Sequence, residues 1–315
     1  MSRAGDTRAG GLRCPACAAR QISVIEFVSR PVGLGCCATC GLRWLLEPPD
    51  GAELAALYSS DFYEPAPARG RRLTRELHRL NNAIRLRELR GVPAGRLLDV
   101  GCGKGRFLAA ARDAGWQVMG VEFEPTSAAA ARHNHGVEVV PGDFLKVPLD
   151  GDFDVVTMWH VLEHLPDPAA AVARAVELLR PGGRLVLSVP NIDSLQARFG
   201  GEQWFHLDLP RHLFHFGPRS LSALAERAGL RVERIGYFYP EMEVIGLVQT
   251  ALNRVGIERD LLYRFAKRDP HAAFGSQIVA SLVLALGAAP FAVAWSTLAP
   301  LFRTGASIQL VAYRD

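Results

Sequence analysis

The sequence is short of lysine and carries little net charge. Only three of its 36 basic residues are lysines (Lys104, Lys146 and Lys267), and the formal net charge is +4 over 315 residues. A nucleic-acid-binding surface needs basic residues clustered on one face of a domain. The excess of arginine is more typical of a coding bias, so we expect no nucleic-acid partner.

The N-terminus lacks the apolar stretch of a secretory signal. Residues 1–13, MSRAGDTRAGGLR, contain charges and glycines and are expected to form a disordered tail. We therefore expect a cytoplasmic protein, in a reducing compartment where disulfides are rare. The six cysteines are better interpreted as metal ligands than as disulfide partners.

Four of these cysteines form two C-x-x-C pairs, separated by nineteen residues that include the apolar segment QISVIEFV. Paired thiolates at this spacing can hold one tetrahedral zinc ion, and a closed shell of four thiolates leaves no open position for chemistry. We predict a structural zinc in a ribbon over residues 14–46, with Cys36 as an alternative third ligand. The favoured ligands are Cys14, Cys17, Cys37 and Cys40.

Residues 47–92 are expected to connect the ribbon to the next domain. Within them, residues 69–90 carry eight arginines, with apolar side chains at helical spacing. A basic amphipathic helix of this kind can lie on an anionic membrane surface. It can equally be a solvated helix that packs through the apolar stripe of Leu73, Leu77, Leu80 and Ile84.

Beyond residue 93, short apolar runs alternate with helical stretches. Strands that alternate with helices indicate a parallel sheet with helices on both faces, a doubly wound α/β fold. Ligands bind such sheets at the carboxyl ends of the strands. The predicted strands are 96–100, 117–121, 137–140, 153–158 and 184–189.

The first strand ends in the glycine-rich turn DVGCGKG. Glycines allow a tight turn, and the helix that follows favours a negatively charged group at its start. A dinucleotide loop, G-x-G-x-x-G, is excluded because Arg106 stands three residues after Gly103. The glycines that we predict to contact a ligand are Gly101, Gly103 and Gly105.

An acidic residue stands at each of three consecutive strand ends. Asp99 is predicted to lie near a cationic amine, and Glu122 to accept hydrogen bonds from both hydroxyls of a ribose. Asp143 can accept an adenine amino proton while Phe144 packs on the ring, and Phe123 is a further candidate in this site. Together these residues describe an adenosine with a charged amino-acid tail.

The sequence here resembles the class I S-adenosylmethionine-dependent methyltransferases. The segments that carry the resemblance are LLDVGCGKGRFL, VMGVEFEP, VVPGDF, FDVVTMWHVLEHLPDP and LRPGGRLVLSVPN. They occur in the family's order over about residues 93–191. The resemblance implies that the glycine turn holds the methionine part, that Glu122 binds the ribose and that Asp143 binds adenine. The cofactor is then S-adenosylmethionine.

The segment WHVLEHL also contains His160-x-x-Glu163-His164, a pattern found in one class of zinc peptidases. No third ligand is evident, and the prolines at 166 and 168 end the segment before a long metal-binding helix could form. We therefore expect a methyltransferase loop. His160 is predicted to lie at the mouth of the cleft as a cofactor-binding or catalytic residue, while Glu163 and His164 are expected to pack or cap.

The acceptor side is predicted in the segment DLPRHLFHF, which resembles the part of many bacterial methyltransferases that covers the acceptor. His212 or His215 could take a proton from an acceptor hydroxyl, and Arg211 could hold a phosphate or carboxylate. One of the two histidines could equally be a hydrogen-bonding core residue. In relatives with a similar N-terminal ribbon a tyrosine reaches the acceptor, which makes Tyr58 and Tyr63 candidates here, although both are equally interpretable as packing aromatics.

Residues 278–302 contain no charge and are long enough to cross a membrane. The segment 306–314 beyond them is predicted to be the last strand of the sheet, and a single span would place it on the wrong side. Because Pro290 divides the apolar segment, we predict a helical hairpin that dips into one leaflet or covers an apolar surface. A buried helical pair in a dimer or lid is the alternative.

The sequence thus predicts a Rossmann-like methyltransferase with a zinc ribbon and an apolar insertion before the last strand. The resemblance to sugar and glycan methyltransferases favours a hydroxyl of a sugar or lipid-linked glycan as acceptor, with peripheral contact on the inner face of the membrane. A quinone-like or phenolic lipid is the alternative acceptor, and a non-catalytic cofactor-binding scaffold the alternative function. The oligomeric state is not predicted. The expected domains are 1–13, 14–46, 47–92, 93–240, 241–304 and 305–315.

Overall fold

A computed structural model describes residues 11–27, 32–50, 53, 71–267, 269, 272 and 275–315. The strands are β1 (Ile22–Glu26), β2 (Gly33–Cys37), β3 (Arg43–Leu45), β4 (Arg96–Val100), β5 (Gln117–Glu122), β6 (Glu138–Pro141), β7 (Phe153–Trp159), β8 (Leu179–Pro190), β9 (Phe214–His215), β10 (Leu230–Gly236) and β11 (Ser307–Arg314). The α-helices are α1 (Arg71–Arg87), α2 (Arg106–Asp113), α3 (Pro125–His135), α4 (Pro168–Leu178), α5 (Leu195–Gly200), α6 (Pro218–Arg227), α7 (Pro240–Arg254), α8 (Leu261–Ala266) and α9 (Ser276–Leu298).

The larger of two sheets has seven strands in the order β10-β11-β8-β7-β4-β5-β6. Strands β4 to β8 are parallel, and β11 runs antiparallel to both of its neighbours. The Rossmann-like fold class, the five predicted parallel strands and the last strand are therefore confirmed. Strand β10, with the sequence LRVERIG, lies at the edge of the sheet and was not among the predicted strands.

The core of this sheet lies between helices on its two faces. Leu97, Leu98, Val155 and Val156 are fully buried although consecutive residues point to opposite faces. Such continuous burial is expected of parallel strands covered on both sides. Helix α4 begins at a capped end, where the Asp167 carboxylate accepts a hydrogen bond from the Ala170 N–H at 2.9 Å.

The smaller sheet joins the N-terminal ribbon to the rest of the protein. Its order is β1-β2-β3-β9, so its last strand comes from the predicted acceptor segment. Arg43 and Trp44 pair with His215 and Phe214, and the Leu45 N–H donates to a backbone carbonyl of the same segment at 2.9 Å. The ribbon is consequently part of the wall that supports this segment.

Helix α1 differs from the expected packing. Ile84 is buried, but Leu77 and Leu80 are about half exposed, and the side chain of Leu73 lies outside the described residues. The predicted burial of the whole apolar stripe is therefore wrong. The C-terminal part of the helix is fastened instead by polar contacts, including a hydrogen bond from the Asn82 amide to the Arg106 carbonyl at 3.1 Å.

The predicted hairpin at residues 278–302 is wrong, because α9 is one continuous helix that contains Pro290. Proline removes a single backbone hydrogen bond and crowds the carbonyl four residues before it. A break in so apolar a segment would leave several backbone groups without partners, at a greater cost. The small residues Gly287, Ala288 and Ala289 before the proline ring also reduce crowding.

Among the described residues, Ser276–Phe302 is a helical stretch long and apolar enough to cross a membrane by length and composition. That criterion is weak evidence by itself, because core helices of soluble proteins also meet it. A core helix is mostly buried, whereas only 17% of the most apolar 18-residue part of this stretch is buried.

Candidate functional site

Asp99 lies at the carboxyl end of β4 and is only 2% exposed. The register places it opposite Thr157 of β7, whose hydroxyl donates to Asp99 Oδ1 at 2.6 Å. Burial raises the pKa of Asp99 to about 7, although the Thr157 hydrogen bond opposes the shift. The structure thus holds a carboxyl group poised to ionise when a cation binds beside it.

The glycine turn and Glu122 form one hydrogen-bonded unit. Gly101 has a positive φ of 67°, and a Cβ there would lie 2.4 Å from Val161 Cγ2, so both conformation and space require glycine. Gly103 and Glu124 donate their N–H groups to the two Glu122 carboxylate oxygens at 2.7 and 2.9 Å. Burial raises the pKa of Glu122, and these N–H groups oppose that rise.

At the end of β6, Asp143 accepts from the Leu145 N–H at 3.0 Å and lies 3.1 Å from Lys146 Nζ. Phe144 is buried in the core beneath the Arg174 guanidinium, so its ring supports the loop from inside, and the expected packing on adenine would require it to move. Phe123, which is 56% exposed, is the aromatic ring open to solvent at the neighbouring strand end.

Helix α1 contacts the residue that precedes α7 and the end of β7. Arg85 Nε donates to the Tyr239 hydroxyl at 3.0 Å, and the Arg85 guanidinium lies 5.2 Å from the Trp159 ring centroid. Sequence reasoning missed both Arg85 and Tyr239, because one was among eight arginines and the other preceded the apolar insertion. Their contact spans 154 positions of the chain, so no local pattern could have indicated it.

His160 follows β7 directly and has a positive φ of 56°, which is rare for a residue with a side chain. Its Nδ1 lies 3.3 Å from Glu163 Oε1, and its Nε2 lies 3.5 Å from the hydroxyls of both Ser188 and Ser307. The side chain is 18% exposed. The predicted position of His160 at the strand end is therefore where the structure places it.

Glu163 belongs to the 3₁₀ turn Leu162–His164, and its side chain is fully buried. Burial alone would raise its pKa, but the hydrogen bond from His160 and the neighbouring imidazoles lower it to about 2. Glu163 is thus an ionised partner for His160. In the peptidase-like pattern, His160 directly follows strand β7 and His164 is the last residue of the 3₁₀ turn. The two histidines therefore do not share one face of a helix, which rules out the peptidase geometry.

The two histidines of the acceptor segment are both buried. His212 donates from Nδ1 to the His206 carbonyl at 2.8 Å, and burial lowers its pKa well below the usual value. His215 lies in β9, where burial and Arg43 lower its pKa to about 3. Both rings are consequently neutral at physiological pH, and neither is open to solvent as His160 is.

Arg211 forms an ion pair with Asp208, with Nη2 and Oδ1 2.7 Å apart. Its backbone carbonyl lies 3.1 Å from His164 Nδ1, so the acceptor segment is fastened to the turn that carries Glu163. The other two predicted acceptor residues, Tyr58 and Tyr63, lie outside the described residues.

The four cysteines of the two C-x-x-C pairs converge at one point of the ribbon. Their sulfurs all lie within 4.8 Å of one another, with 3.5 Å between Cys14 and Cys40 and 3.6 Å between Cys17 and Cys37. None of the six cysteines of the chain is in a disulfide. Cys36 is absent from this cluster, in which Cys37 is the third cysteine along the chain.

Comparison with known proteins identifies the family. A family model described as "Methyltransferase domain" matches residues 68–235, which is more than half of the chain. The chain belongs to this methyltransferase family. The enzyme is similar to "Ubiquinone biosynthesis O-methyltransferase" of Thiobacillus denitrificans, with 33% identity over 210 residues that cover 61% of this chain and 87% of the relative.

A second relative and a solved structure agree with this assignment. The Bordetella avium protein of the same name is 38% identical over 173 residues, which cover 49% of this chain and 70% of the relative. The crystal structure of a putative sarcosine dimethylglycine methyltransferase from Galdieria sulphuraria superposes with a TM-score of 0.50 at 14% identity, over 78% of this chain and 88% of that one. At that identity the likeness shows the fold alone.

The residues of the methyltransferase fit the cofactor of this fold, S-adenosylmethionine. Apart from Gly103 and its two chain neighbours, no heavy atom of the described residues lies within 4 Å of the position that a Cβ on Gly103 would take, so the space beside this residue is open among them. Carboxylates stand at the ends of three neighbouring strands, which matches a ligand with an ammonium group, a ribose and an amino-substituted base. The protein is an S-adenosylmethionine-dependent methyltransferase.

Proposed function

We propose that the enzyme methylates a hydroxyl group of a quinone-like or phenolic lipid. The names of the relatives support this acceptor class over the sugar or glycan that the sequence analysis favoured. The observation that carries the chemistry is the pair formed by His160 and Glu163 at the end of β7. A phenolic hydroxyl that loses its proton as the methyl group arrives needs such a base within hydrogen-bond reach.

The pair has the arrangement of a base and a group that orients it. Ionised Glu163 accepts the Nδ1–H of His160, which leaves Nε2 with the lone pair that can take a proton. The contacts from Nε2 to Ser188 and Ser307 are long, at 3.5 Å, so an acceptor hydroxyl can replace them. His160 therefore replaces the buried His212 and His215 as our proposed general base.

S-adenosylmethionine supplies an electrophilic methyl group when it is bound. We assign its ammonium group to Asp99, its ribose to Glu122, and its adenine to Asp143 and Phe123. The glycine turn Gly101–Gly105 lets the backbone approach the methionine part. These residues bind and orient, and a reacting pair held at about 3 Å already gains much of the rate.

A structural zinc ion in the ribbon is the second part of the proposal. Zn–S bonds of about 2.3 Å in a tetrahedron separate the sulfurs by about 3.8 Å. The observed separations of 3.5 and 3.6 Å are close to that value. The four thiolates of Cys14, Cys17, Cys37 and Cys40 would form a closed shell, so we give the ion no part in the reaction.

Peripheral contact with a membrane is the third part. Helix α9 exposes large apolar side chains, among them Val283, Leu286 and Phe291, each at least 64% exposed. Both ends of the helix are tied to the catalytic body, because Ile278 is fully buried and β11 pairs with β8. A helix held in this way can lie in one face of a bilayer but cannot cross it. We place the enzyme at the cytoplasmic face of the membrane.

Transfer of a labelled methyl group tests the acceptor class. The purified enzyme is incubated with methyl-labelled S-adenosylmethionine and either a phenolic polyprenyl lipid in vesicles or a lipid-linked sugar, and the products are partitioned between organic and aqueous phases. We expect base-stable label in the phenolic lipid and none after Glu122→Gln, which weakens cofactor binding. Label in the sugar alone would return the assignment to a glycan methyltransferase.

A further inference from the structure

A second cluster of metal-ligating side chains lies between the turn after β7 and the acceptor segment. It consists of Glu163, His164 and His212, whose ligand atoms all lie within 4.8 Å of one another. The sequence analysis found no third ligand for the His160-x-x-Glu163-His164 pattern. The cluster does not include His160; the acceptor segment instead brings His212 beside His164, with 4.7 Å between the ring centroids.

Both histidines of the cluster are oriented by backbone carbonyls. His164 Nδ1 lies 3.1 Å from the Arg211 carbonyl, and His212 Nδ1 lies 2.8 Å from the His206 carbonyl. A carbonyl oxygen only accepts, so each Nδ1 carries a proton, and the atom of each ring that can offer a lone pair to a metal is Nε2. Histidines that bind metals are held in this way, with the second nitrogen donating to a carbonyl or carboxylate.

Glu163 supplies the third ligand atom. Its Oε1 faces His160, whereas its buried Oε2 has no hydrogen-bond partner within the part of the chain that the structure describes. A buried polar atom without a partner is costly and calls for an explanation. A cation held between Oε2 and the two imidazoles would satisfy it. Asp208 is also near, with Oδ2 3.7 Å from His212 Nε2.

We propose that Glu163, His164 and His212 bind one divalent transition-metal ion, with zinc as the best match. Two imidazole nitrogens and one carboxylate oxygen suit zinc, whereas magnesium prefers an all-oxygen shell. The ion fastens the acceptor segment to the turn that carries the His160 partner. It is separate from the cysteine ribbon, and the proposal does not depend on the identity of the methyl acceptor.

Metal content and cobalt spectra distinguish the two sites. Wild-type protein dialysed against zinc is expected to retain about two equivalents per chain, and Glu163→Gln or His212→Gln about one. The matched control is His215→Gln, a buried histidine of the same segment outside the cluster, which should retain about two. Binding of S-adenosylmethionine by each variant checks that the domain is folded.

Cobalt adds a readout that does not depend on activity. Thiolate ligands give Co²⁺ intense near-ultraviolet charge-transfer bands, whereas nitrogen and oxygen ligands give only visible d–d bands. We expect Glu163→Gln to lose d–d intensity and to keep the thiolate bands. If wild-type protein binds one equivalent with thiolate bands alone, the cluster is a hydrogen-bonded network without metal and the proposal is overturned.

Discussion

The two sides of the cleft hold their polar groups in different ways. On the cofactor side, Glu122 is fixed by N–H groups of its own loop and of the adjacent glycine turn, and Asp143 by the N–H of Leu145. The acceptor side also has short-range pairs, such as Arg211 with Asp208, but the segment is fastened to the rest of the domain by contacts between distant parts of the chain, as with His164 and the carbonyl of Arg211. The cofactor side is built from short loops on a rigid sheet, whereas the acceptor side is assembled by tertiary contacts.

This difference implies that the acceptor side can be disturbed from a distance and the cofactor side cannot. The acceptor segment is held by the Glu163 turn on one side and by the ribbon sheet on the other. Changes in either support should alter acceptor binding or turnover while the affinity for S-adenosylmethionine stays nearly constant. The five predictions that follow concern the two sides of the cleft, the ribbon that supports one of them, and the apolar helix beside them.

The largest effect is expected from the proposed base. His160→Gln should lower kcat by about 10² to 10⁴-fold, because proton transfer to a positioned base typically contributes that much. The dissociation constant of S-adenosylmethionine, measured by calorimetry, should change by less than about twofold, since the variant retains the size of the side chain. His133→Gln, at an exposed position of α3, is the control. Full activity of the His160 variant would show that the acceptor needs no base here.

Membrane contact should depend on the exposed face of α9. The double variant Val283→Glu with Leu286→Glu should weaken binding to phospholipid vesicles by about 100-fold, because each buried aliphatic side chain contributes about 1.5–3 kcal/mol. Vesicle flotation measures the binding. Val255→Glu, an exposed apolar position outside α9, should bind vesicles like the wild type. Equal binding by all three proteins would assign α9 to a protein partner.

Disruption of the ribbon should affect the acceptor side selectively. Cys14→Ser removes one of the four thiolates and loosens the sheet that includes β9. We expect KM for the acceptor to rise by about tenfold, with the affinity for S-adenosylmethionine within about twofold of the wild type. Cys36→Ser, next to a ligand but outside the cluster, is the matched control. An equal loss on both sides would show that the ribbon stabilises the whole domain.

The smallest effect is a pH dependence on the cofactor side. Because burial raises the pKa of Asp99 to about 7, the carboxyl group is mostly protonated at pH 6 and must ionise to bind an ammonium group. The affinity for S-adenosylmethionine should therefore increase by about eightfold between pH 6 and pH 7.5. Asp99→Asn should bind more weakly and without this pH dependence. A wild-type affinity that is constant over this range would remove Asp99 from the ammonium site.

The same shift makes a prediction about stability without ligand. The folded state of Asp99 binds its proton more tightly than the unfolded chain, whose aspartate has a pKa near 3.9. Above that value the unfolded state binds fewer protons, so stability should fall as pH rises from about 4 to 7. Comparison of urea unfolding of the wild type and Asp99→Asn isolates this contribution.

The cofactor side could be located from the sequence because its determinants are local. An apolar run that ends in an acid and a glycine turn defines a strand and its loop together, and parallel strands bring consecutive ends to one edge. The side-chain details were less accessible. Phe144 and Phe123 both follow acidic residues at strand ends. Phe144 is buried under the Arg174 guanidinium, whereas Phe123 is exposed.

The acceptor side was predicted only as a segment, and the histidine favoured there as the base, His212, is buried in the structure. The run from Asp208 to Phe216 contains two histidines and an arginine, and no local pattern shows that both histidines are buried. Glu163 was expected to pack or cap; it is buried, and its carboxylate also lies 3.3 Å from His160 Nδ1. The continuity of α9 through Pro290 also required the structure, because one proline costs less than a break in an apolar helix.

The sequence by itself determined the positions of the parallel strands along the chain, the acidic residues at their ends, the glycine turn and the four cysteines that form one cluster. Short-range patterning and spacing specify these features. Tertiary structure alone decided that His160 meets Glu163, that His212 joins them from 49 residues further on, and that the ribbon continues into β9. The contacts of His212 and of β9 arise from packing between segments far apart in the chain, for which a single sequence carries no local signal, and the short contact from His160 to Glu163 depends on the loop conformation after β7.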